Sequence, residues 1–389
     1  MNKERTVFSQ LMDFVPSHEF DRCVRQYQGD KGSRSLSCWT QFLIMAFAQL
    51  TGRRSLRDIE TCLRAVGAKL YHAGIRHPVP KSTLAEANEK RDWRIFGDFA
   101  QVLIRQATTL YSGEPLGADL QGAAYALDST TIDLCLALFP WAKFRTTKAG
   151  VKMHTLLDLH GSFPALVIIT PAKVHDVNIL DKLAFEPGAV YVMDRAYIDF
   201  DRLHRIHRSS AFFLTRTKAN FRFQRRYSAP VDKSLGIRFD QTIFLTGPRS
   251  AQQYPDTLRR IGYVDPDTGK RLVFMTNHMA ATAPAMAQLY RCRWQVELFF
   301  KWIKQHLRMQ SFYGTSGNAV KTQIWIGVSI YVLIAILRKR LRLPHSLYTI
   351  LQILSVSLFE KTPIVQALSL RPLQSCASDE HNQLCLRGI

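Results

Sequence analysis

The chain has 389 residues, 47% of them apolar, which is enough to bury a large core in two or three domains and excludes a disordered protein. Its 52 Lys and Arg against 31 Asp and Glu give a formal charge of +21. Such an excess favours a polyanionic partner, with nucleic acid ahead of an anionic membrane.

The first hundred residues carry helical patterns. Residues 8–110 show the apolar spacing of helices and no convincing strand. A strongly apolar helix is predicted over 39–50 and is ended by Gly52, and Ser55 is predicted to cap a second helix over 56–63. This pattern predicts an all-helical N-terminal domain over residues 1–112.

A polar helix is predicted over residues 81–91, with Ser82 as a candidate cap. A short helix, a loop and a polar helix are compatible with a helix-turn-helix reader of a DNA groove. Most short helix pairs are only packing units, so the basic charge of the chain is what favours a DNA-binding domain here. The polar residues expected to face DNA are Ser82, Thr83, Asn88 and Arg91.

The periodicity changes to that of strands after the loop at 113–122. Strands are predicted over 123–129, 151–159 and 162–170, while 132–138 either extends the first strand or forms a hairpin.

Helices then alternate with strands. A helix over 176–183, capped by His175-Asp176, is followed by a strand over 189–194, a helix over 200–209 and a strand over 211–215. Three strands, helix, strand, helix, strand is the order of an α/β core of the ribonuclease-H-like class, and 120–217 is assigned to its first part.

The remainder of the chain divides into three regions. Residues 218–283 contain short apolar runs between Pro, Gly and Asp turns and are predicted to be a β-rich insertion. Residues 284–312 form the last core helix, and 313–389 are a helical C-terminal region.

A membrane role is weakly supported. The longest apolar run, 324–337, is shorter than the roughly 20 residues that a spanning helix needs, so a buried helix is expected. The N-terminal residues carry charges of both signs with no apolar signal region, which predicts a cytoplasmic protein. The seven scattered cysteines, never spaced as C-x-x-C, argue against both a disulfide framework and a zinc site.

The helix around residue 297 has an unusual polar stripe. At roughly 100° per residue, its four polar members fall within about 60° of one another; they are Tyr290, Arg293, Glu297 and Lys304. Apolar side chains lie on both flanks, Val296, Phe299, Phe300, Ile303 and Leu307 on one and Trp294, Leu298 and Trp302 on the other. An acid beside cations and between apolar walls is typical of a site, although charged stripes are more often solvated faces.

Two aspartates are predicted to end neighbouring strands. Asp128 and Asp194 each follow a short apolar run, and the ends of parallel strands open into one crevice. Alternatively, Asp128 caps a turn with Ser129, and Asp194 caps the following helix or pairs with Arg195. With Glu297, three carboxylates would suffice for two hard cations, Mg²⁺ with Mn²⁺ as the alternative, and for in-line attack on a phosphodiester.

These residues resemble a known family. Asp128 in an L-D-S-T context, the segment D-R-A-Y-I-D from Asp194 to Asp199, and the series Tyr-x2-Arg-x3-Glu-x6-Lys resemble the motifs of bacterial DDE transposases of the insertion sequence 4 family. The likeness covers essentially the whole chain, since F-S-Q-L from Phe8 and R-S-L-R-D-I from Arg54 are similar to the front of such transposases. Ala196 departs from the family, where many members carry Gly.

The resemblance implies the function. It implies that Asp128, Asp194 and Glu297 coordinate two Mg²⁺ and catalyse phosphodiester hydrolysis and transesterification at terminal inverted repeats. It also implies a cut-and-paste route through a hairpin intermediate. The expected partners are double-stranded DNA, as transposon ends and as target, and a second copy of the chain in a synaptic homodimer on the nucleoid.

The same resemblance gives roles to the cations and aromatic residues near Glu297. Tyr290, Arg293, Lys301 and Lys304 would hold phosphates, and Trp294 is a candidate platform for a displaced base, with core packing as its alternative. Two basic stretches are expected to line the DNA track, and their members include Arg145, Lys148, Lys152, Arg216 and Lys218. His154 and His175 are expected to be packing or capping residues rather than metal ligands.

Two other functions remain open at the level of sequence. A ribonuclease-H-like nuclease or resolvase would use the same metal site without strand transfer, and it would not need the Tyr290 to Lys304 series. A decayed transposase would act only as a DNA-binding regulator, which an intact carboxylate triad argues against.

Overall fold

The computed structural model describes residues 5–33, 35–67, 69–72, 74–114, 122–217, 221–306 and 312–369. The helices are α1 (Val7–Met12), α2 (Ser17–Gln26), α3 (Cys38–Leu50), α4 (Leu56–Val66), α5 (Lys69–His72), α6 (Lys81–Lys90), α7 (Arg94–Tyr111), α8 (Phe200–Arg208), α9 (Pro248–Gln253), α10 (Ala283–Cys292), α11 (Trp294–His306), α12 (Gly317–Arg340), α13 (Leu347–Ser357) and α14 (Ile364–Leu368). The strands are β1 (Ala124–Leu134), β2 (Lys143–Arg145), β3 (Lys148–Asp158), β4 (Phe163–Pro171), β5 (Val190–Met193), β6 (Phe212–Arg216), β7 (Phe223–Ala229), β8 (Ile237–Leu245), β9 (Leu258–Val264) and β10 (Arg271–Thr276).

The strands form one mixed sheet beside a helical N-terminal region. Its first part has the order β4-β3-β1-β5-β6, in which β1, β5 and β6 are parallel and β3 and β4 are antiparallel additions. The sheet then continues through β10, β9, β8 and β7, because β10 pairs antiparallel with β6. The strands predicted between 218 and 283 therefore extend the same sheet within the described residues.

Strand β1 continues past residue 129, which is one of the two alternatives considered for the segment that follows it. It runs through Asp128 to Leu134, so Asp128 does not end the strand, and the segment after it pairs with β3 in an unbroken antiparallel register. What ends at this point is the parallel pairing with β5, whose last pair is Leu127 with Met193. Asp128 and Asp194 thus still follow the same pair of residues on two adjacent strands.

Two predicted helices differ in the structure. Residues Asp176–Lys182 form a 3-10 helix rather than an α-helix. The helix expected across 290–304 is broken at Arg293, where backbone bonds of the i to i+3 type join Tyr290 to Arg293 and Arg293 to Val296. The break means that the stripe spans the end of α10 and the start of α11.

The N-terminal caps follow the prediction in one case and not in another. The Ser55 hydroxyl accepts a hydrogen bond from the Asp58 amide and caps α4, as predicted. Helix α6 begins after Pro80, and Ser82 lies inside it and is not its cap. Of the polar residues expected to read DNA, Asn88 is buried against Gln41 and Arg91 donates to Gln41, which leaves Ser82 and Thr83 as the candidates.

Helix α12 joins the N-terminal helices to the sheet. It packs against α3, α6 and α7 on one side and against β4 on the other. The Tyr331 hydroxyl donates to the Ser162 carbonyl at 2.8 Å, and the Tyr111 hydroxyl donates to the Ala335 carbonyl at 3.0 Å. This helix is long and apolar enough to cross a membrane, but 94% of its most apolar window is buried inside the protein, which fits a core helix.

Candidate active site

The alternation of strand side chains decides which residues share a face of the sheet. Ala126, Val192 and Leu214 belong to the core beneath α11 and α12, whereas Leu127, Met193 and Phe213 belong to the core on the opposite side, around α8. Since every second residue of a strand points the same way, the residues two positions after the first set lie on the α11 side. They are Asp128, Asp194 and Arg216.

Asp128 is the most buried of the three candidate carboxylates. Its Oδ1 accepts from the Ser129 amide at 2.8 Å, and its Oδ2 accepts from Nη1 of Arg293 at 3.0 Å. Burial raises the pKa of this carboxyl to about 6, opposed by the Ser129 amide and Arg293 and reinforced by the charges of Asp194 and Glu297. The charges of Asp194 and Glu297 therefore act on the Asp128 carboxyl.

Asp194 lies at the end of β5, at the entrance to the same face. Its Oδ1 accepts from the Ala196 amide at 3.0 Å and caps the short 3-10 helix Arg195–Tyr197. Its Oδ2 lies 4.0 Å from Nη2 of Arg216, the last residue of β6. The capping role considered from the sequence is thus present, and one carboxylate oxygen still faces a cation on the site side.

Arg293 connects the strands to the helix. Its Nη2 donates to Oε1 of Glu297 at 2.6 Å while its Nη1 bonds Asp128, so one guanidinium bridges two acids. The break between α10 and α11 falls at this residue. The Arg293 side chain is 15% exposed and the Glu297 side chain 47%, so the arginine is enclosed and the glutamate faces solvent.

Helix α11 runs alongside β1 in the same direction. Arg293 contacts Asp128, and eleven residues later Lys304 is under the electrostatic influence of Asp133, although burial is the larger effect and lowers the pKa of Lys304. Eleven helical residues and five strand residues both span about 16 Å. Lys304 therefore lies about 16 Å along the strand from Asp128.

The side chains near Arg293 and Glu297 on α10 and α11 differ in exposure. Tyr290 is buried, its ring lies 4.8 Å from that of Phe274, and burial raises its pKa. The Arg293 guanidinium lies over the Tyr290 ring, 5.7 Å from its centroid. The ring therefore makes a cation–π contact with the arginine. Trp294 is 58% exposed and Lys301 is also exposed, so Trp294 is not a core residue.

The predicted DNA-track residues lie in three different places. Arg145 and Lys148 are exposed partners at the tip of the β2-β3 hairpin, near the Lys304 end of β1. Lys152 lies on the opposite face of the sheet from the acids, where its ammonium is 3.0 Å from Oδ1 of Asp176 and donates to the Val174 carbonyl. The structure therefore does not bring Lys152 into the site, and Lys218 lies outside the described residues.

Asp176 organises a polar cluster that the sequence interpretation missed. Ser129 donates to its Oδ1 at 2.6 Å, and buried His154 lies 3.7 Å from the same oxygen and 2.9 Å from the Thr170 hydroxyl. Burial lowers the pKa of His154 to about 4, which agrees with a packing role. From the sequence, Asp176 was assigned only as part of a helix cap, because its contacts with β1 and β3 are long-range.

The donor chemistry of the carboxylate face suits a hard cation. Asp128, Asp194 and Glu297 offer only oxygen ligands, the set preferred by Mg²⁺. Within the described part of the chain, three candidate ligand atoms lie within 4.8 Å of one another only at His204, His207 and Asp256, so the three carboxylates form a more open group. Arg293 occupies the space between two of them, and it would have to yield one contact for the acids to close on an ion.

Comparisons with known proteins identify the family of this chain. The Transposase DDE domain model matches residues 120–333, and a domain of unknown function (DUF4372) matches residues 3–76. Protein y4zB of Sinorhizobium fredii, named as a transposase, is 32% identical over 285 residues, covering 72% of this chain and 78% of that protein. A protein of Geobacillus stearothermophilus, named as a transposase for insertion sequence element IS5377, is 32% identical over 211 residues, covering 54% and 55%.

Among solved structures, a piggyBac transposase synaptic complex with hairpin DNA aligns with a TM-score of 0.45 and 12% identity over 96% of this chain and 87% of that one. Enzymes with a DDE domain are generally dependent on divalent metals. The family match spans more than half of the chain and includes all three acids. The chain therefore belongs to the transposase DDE domain family and is a DNA transposase of a bacterial insertion sequence.

Proposed function

We propose that this transposase belongs to the insertion sequence 4 family and uses Asp128, Asp194 and Glu297 as its catalytic carboxylates, holding two Mg²⁺. The observation that carries the assignment is the bridge from Arg293 to Asp128 and Glu297, which joins strand β1 to helix α11 on the face that Asp194 also occupies. The family series Tyr-x2-Arg-x3-Glu-x6-Lys contains both ends of the Arg293–Glu297 contact.

The catalytic core in this proposal is ribonuclease-H-like. It comprises β4-β3-β1-β5-β6 and α11, and the strands β7 to β10 are an insertion that lengthens the sheet at β6. Support comes from the parallel pairing of β1 with β5 and of β5 with β6, and from the position of the acids at the end of the first pairing.

The proposed chemistry is in-line attack on a phosphodiester. The bound ions would activate water or a 3′-hydroxyl and stabilise the leaving oxygen. Asp128, which is buried and has a raised pKa, would lose its proton more readily beside a bound cation, and Arg293 would then be free to turn toward a phosphate. The proposed route is cleavage at the inverted repeats, attack of the 3′-hydroxyl to form a hairpin, hairpin opening and joining to target DNA.

DNA would lie along α11 and the β2-β3 hairpin. The proposed phosphate contacts are Arg293, Lys301, Lys304, Arg145, Lys148 and Arg216, with Tyr290 supporting Arg293 and Lys218 as a candidate outside the described residues. Trp294 is exposed and would support a displaced base. A cavity of about 510 Å³ opens along the neighbouring part of α11. Its lining includes Leu298, Lys301, Trp302, Arg338 and Tyr348.

The N-terminal helices would recognise the transposon end, through Ser82 and Thr83 of α6 among other residues. Two ends must be brought together before joining, which supports a homodimer in the synaptic complex. The protein would act in the cytoplasm on nucleoid DNA, consistent with its formal charge of +21.

The proposal is tested by replacing each carboxylate with its amide. Asp128→Asn, Asp194→Asn and Glu297→Gln should each lower Mg²⁺-dependent cleavage of end DNA by on the order of 10³-fold or more, as for other residues that act as one catalytic unit. Binding of end DNA in EDTA should persist, because the substitutions keep side-chain shape. Single-turnover cleavage of a labelled inverted-repeat duplex measures the first effect and a mobility-shift titration the second.

Asp201→Asn is the matched control, since it removes an exposed acid from α8 on the other side of the sheet. It should leave cleavage unchanged. Wild-type cleavage by Glu297→Gln would refute the site, and cleavage without joining of precut ends to a plasmid would favour a nuclease over the proposed route.

A further inference from the structure

We propose that His204, His207 and Asp256 form a second metal site, specific for a transition-metal ion of the Zn²⁺ class and separate from the catalytic carboxylates. Within the described residues, this is the one group of His, Cys, Asp or Glu in which three ligand atoms lie within 4.8 Å of one another. It does not depend on the assignment of the catalytic acids, because none of its members belongs to that face of the sheet.

The ligands come from two parts of the chain. His204 and His207 are three residues apart on α8, so both imidazoles project from one side of that helix. Asp256 lies in the loop between α9 and β9. Its Oδ2 is 2.9 Å from Nε2 of His204 and 3.6 Å from Nδ1 of His207, so one carboxylate oxygen faces both rings.

The donor set distinguishes this site from the catalytic one. Two imidazoles and one carboxylate are the ligands of many zinc sites with an open fourth position, whereas three carboxylates suit Mg²⁺. Zinc ligand atoms lie about 2.0 to 2.2 Å from the ion. Atoms already within 4.8 Å of one another reach such distances with small rotations about side-chain bonds.

The surroundings hold the rings in place. The buried Tyr254 ring is stacked on His207, with centroids 5.7 Å apart, and its hydroxyl lies 2.8 Å from Nδ1 of His207. A metal ion would displace this hydroxyl from the nitrogen or share it, and any proton on the imidazoles would pass to solvent. Two arginines of α8 are engaged elsewhere, because Arg202 is paired with Asp181 at 2.7 Å and Arg205 lies over the Phe185 ring.

An ion here would connect helix α8, which belongs to the first part of the fold, to the loop that leads into β9. Helix α8 lies between β5 and β6 in the chain, and Asp256 immediately precedes β9 of the added strands. Tyr254, Leu203 and Ile206 all belong to the core on the side away from α11. The site would therefore hold the added strands against α8 on the side of the sheet away from the catalytic acids.

The test is a zinc titration in a background without the catalytic carboxylates. The full-length protein carrying Asp128→Asn, Asp194→Asn and Glu297→Gln is titrated with ZnCl₂ against a chromophoric chelator. One equivalent should bind, Co²⁺ should give visible d–d bands of a nitrogen and oxygen site, and zinc should raise Tm. Adding His204→Ala or His207→Ala should weaken zinc binding by about 10- to 100-fold or more, since loss of even an outer-shell partner has that effect.

His77→Ala is the matched control, because it removes an exposed histidine outside the cluster, and it should leave zinc binding unchanged. Asp256→Asn, in an exposed loop, serves if a histidine variant does not fold, and it should weaken binding in the same way. Absence of saturable zinc binding, or an equivalent of zinc retained at full affinity by both His204→Ala and Asp256→Asn, would overturn the proposal.

Discussion

At the scale of single residues, Arg293 connects the acids of two elements. It is largely enclosed, lies above the Tyr290 ring and donates to both Asp128 and Glu297. A guanidinium in this position offsets the repulsion between carboxylates while no cation is bound. The sequence series contained both residues of the Arg293–Glu297 contact, which one helical turn can make, but the bond to Asp128 joins residues 165 positions apart.

Arg293→Ala should reduce cleavage of end DNA by about 10²- to 10³-fold, because a positioned donor to developing phosphate charge is lost. The cleavage rate of Arg293→Lys should lie between those of the wild type and Arg293→Ala, since lysine keeps the charge but not the forked geometry. Single-turnover cleavage rates measure this effect, and nonspecific DNA binding at matched salt should change far less. Cleavage by Arg293→Ala at the wild-type rate would exclude the residue from the site.

The raised pKa of Asp128 predicts that the free energy of unfolding of the metal-free protein depends on pH. The pKa of Asp128 in the folded protein is about 6, against 3.8 for an ordinary aspartate, so protonation favours the folded state. The metal-free protein should lose up to about 3 kcal/mol from this group as the pH rises from about 4 to 6. Asp128→Asn should remove that loss.

Urea denaturation of both proteins in EDTA between pH 4 and pH 8 measures the difference. Asp128→Asn should be more stable than wild type above pH 6, with the two proteins converging toward pH 4. A constant difference across the range would contradict the raised pKa.

At the scale of elements, the alignment of α11 with β1 creates the site. The strand and helix positions were largely predicted, because apolar alternation and helical spacing are local properties. The length of β1 was left open between two alternatives, because residues 129–134 are held by pairing with β3 rather than by an apolar pattern. The break at Arg293 was missed, since a continuous helical pattern crosses it.

Trp294 and Trp302 give a matched pair on α11. Trp294→Ala should leave stability within about 0.5 kcal/mol, because the side chain is 58% exposed, and should reduce hairpin formation by roughly tenfold if a base stacks on it. Trp302→Ala should cost about 3 to 5 kcal/mol, because that ring is buried.

Chemical denaturation and a gel assay for hairpin product measure the two effects. An unchanged hairpin yield in Trp294→Ala would remove the platform role, whereas loss of stability in that variant would show an unrecognised packing role.

At the scale of the whole molecule, α12 makes one core of the N-terminal helices and the catalytic sheet. All of its residues from Thr322 to Leu337 are buried, and the helix packs against α7 and β4. A shared core couples the unfolding of both regions, because neither keeps its buried surface without α12.

Leu333→Ala should lower the free energy of unfolding by about 2 to 5 kcal/mol and shift a single transition. Hydrogen exchange at α3 and β1 should increase together. Val356→Ala, at an 82% exposed position, is the control and should change stability by no more than about 0.5 kcal/mol. Two separate transitions, with only one shifted, would show that the regions unfold independently.

The sequence by itself determined the elements, their order and the two strand positions from which Asp128 and Asp194 project, because these depend on local periodicity. Only the tertiary structure decided that Lys152 lies on the opposite face, that Arg293 bridges two acids, and that His204 and His207 meet Asp256. Each of these contacts joins residues far apart in the chain, and their side-chain directions depend on strand register and helix placement, which no local pattern specifies.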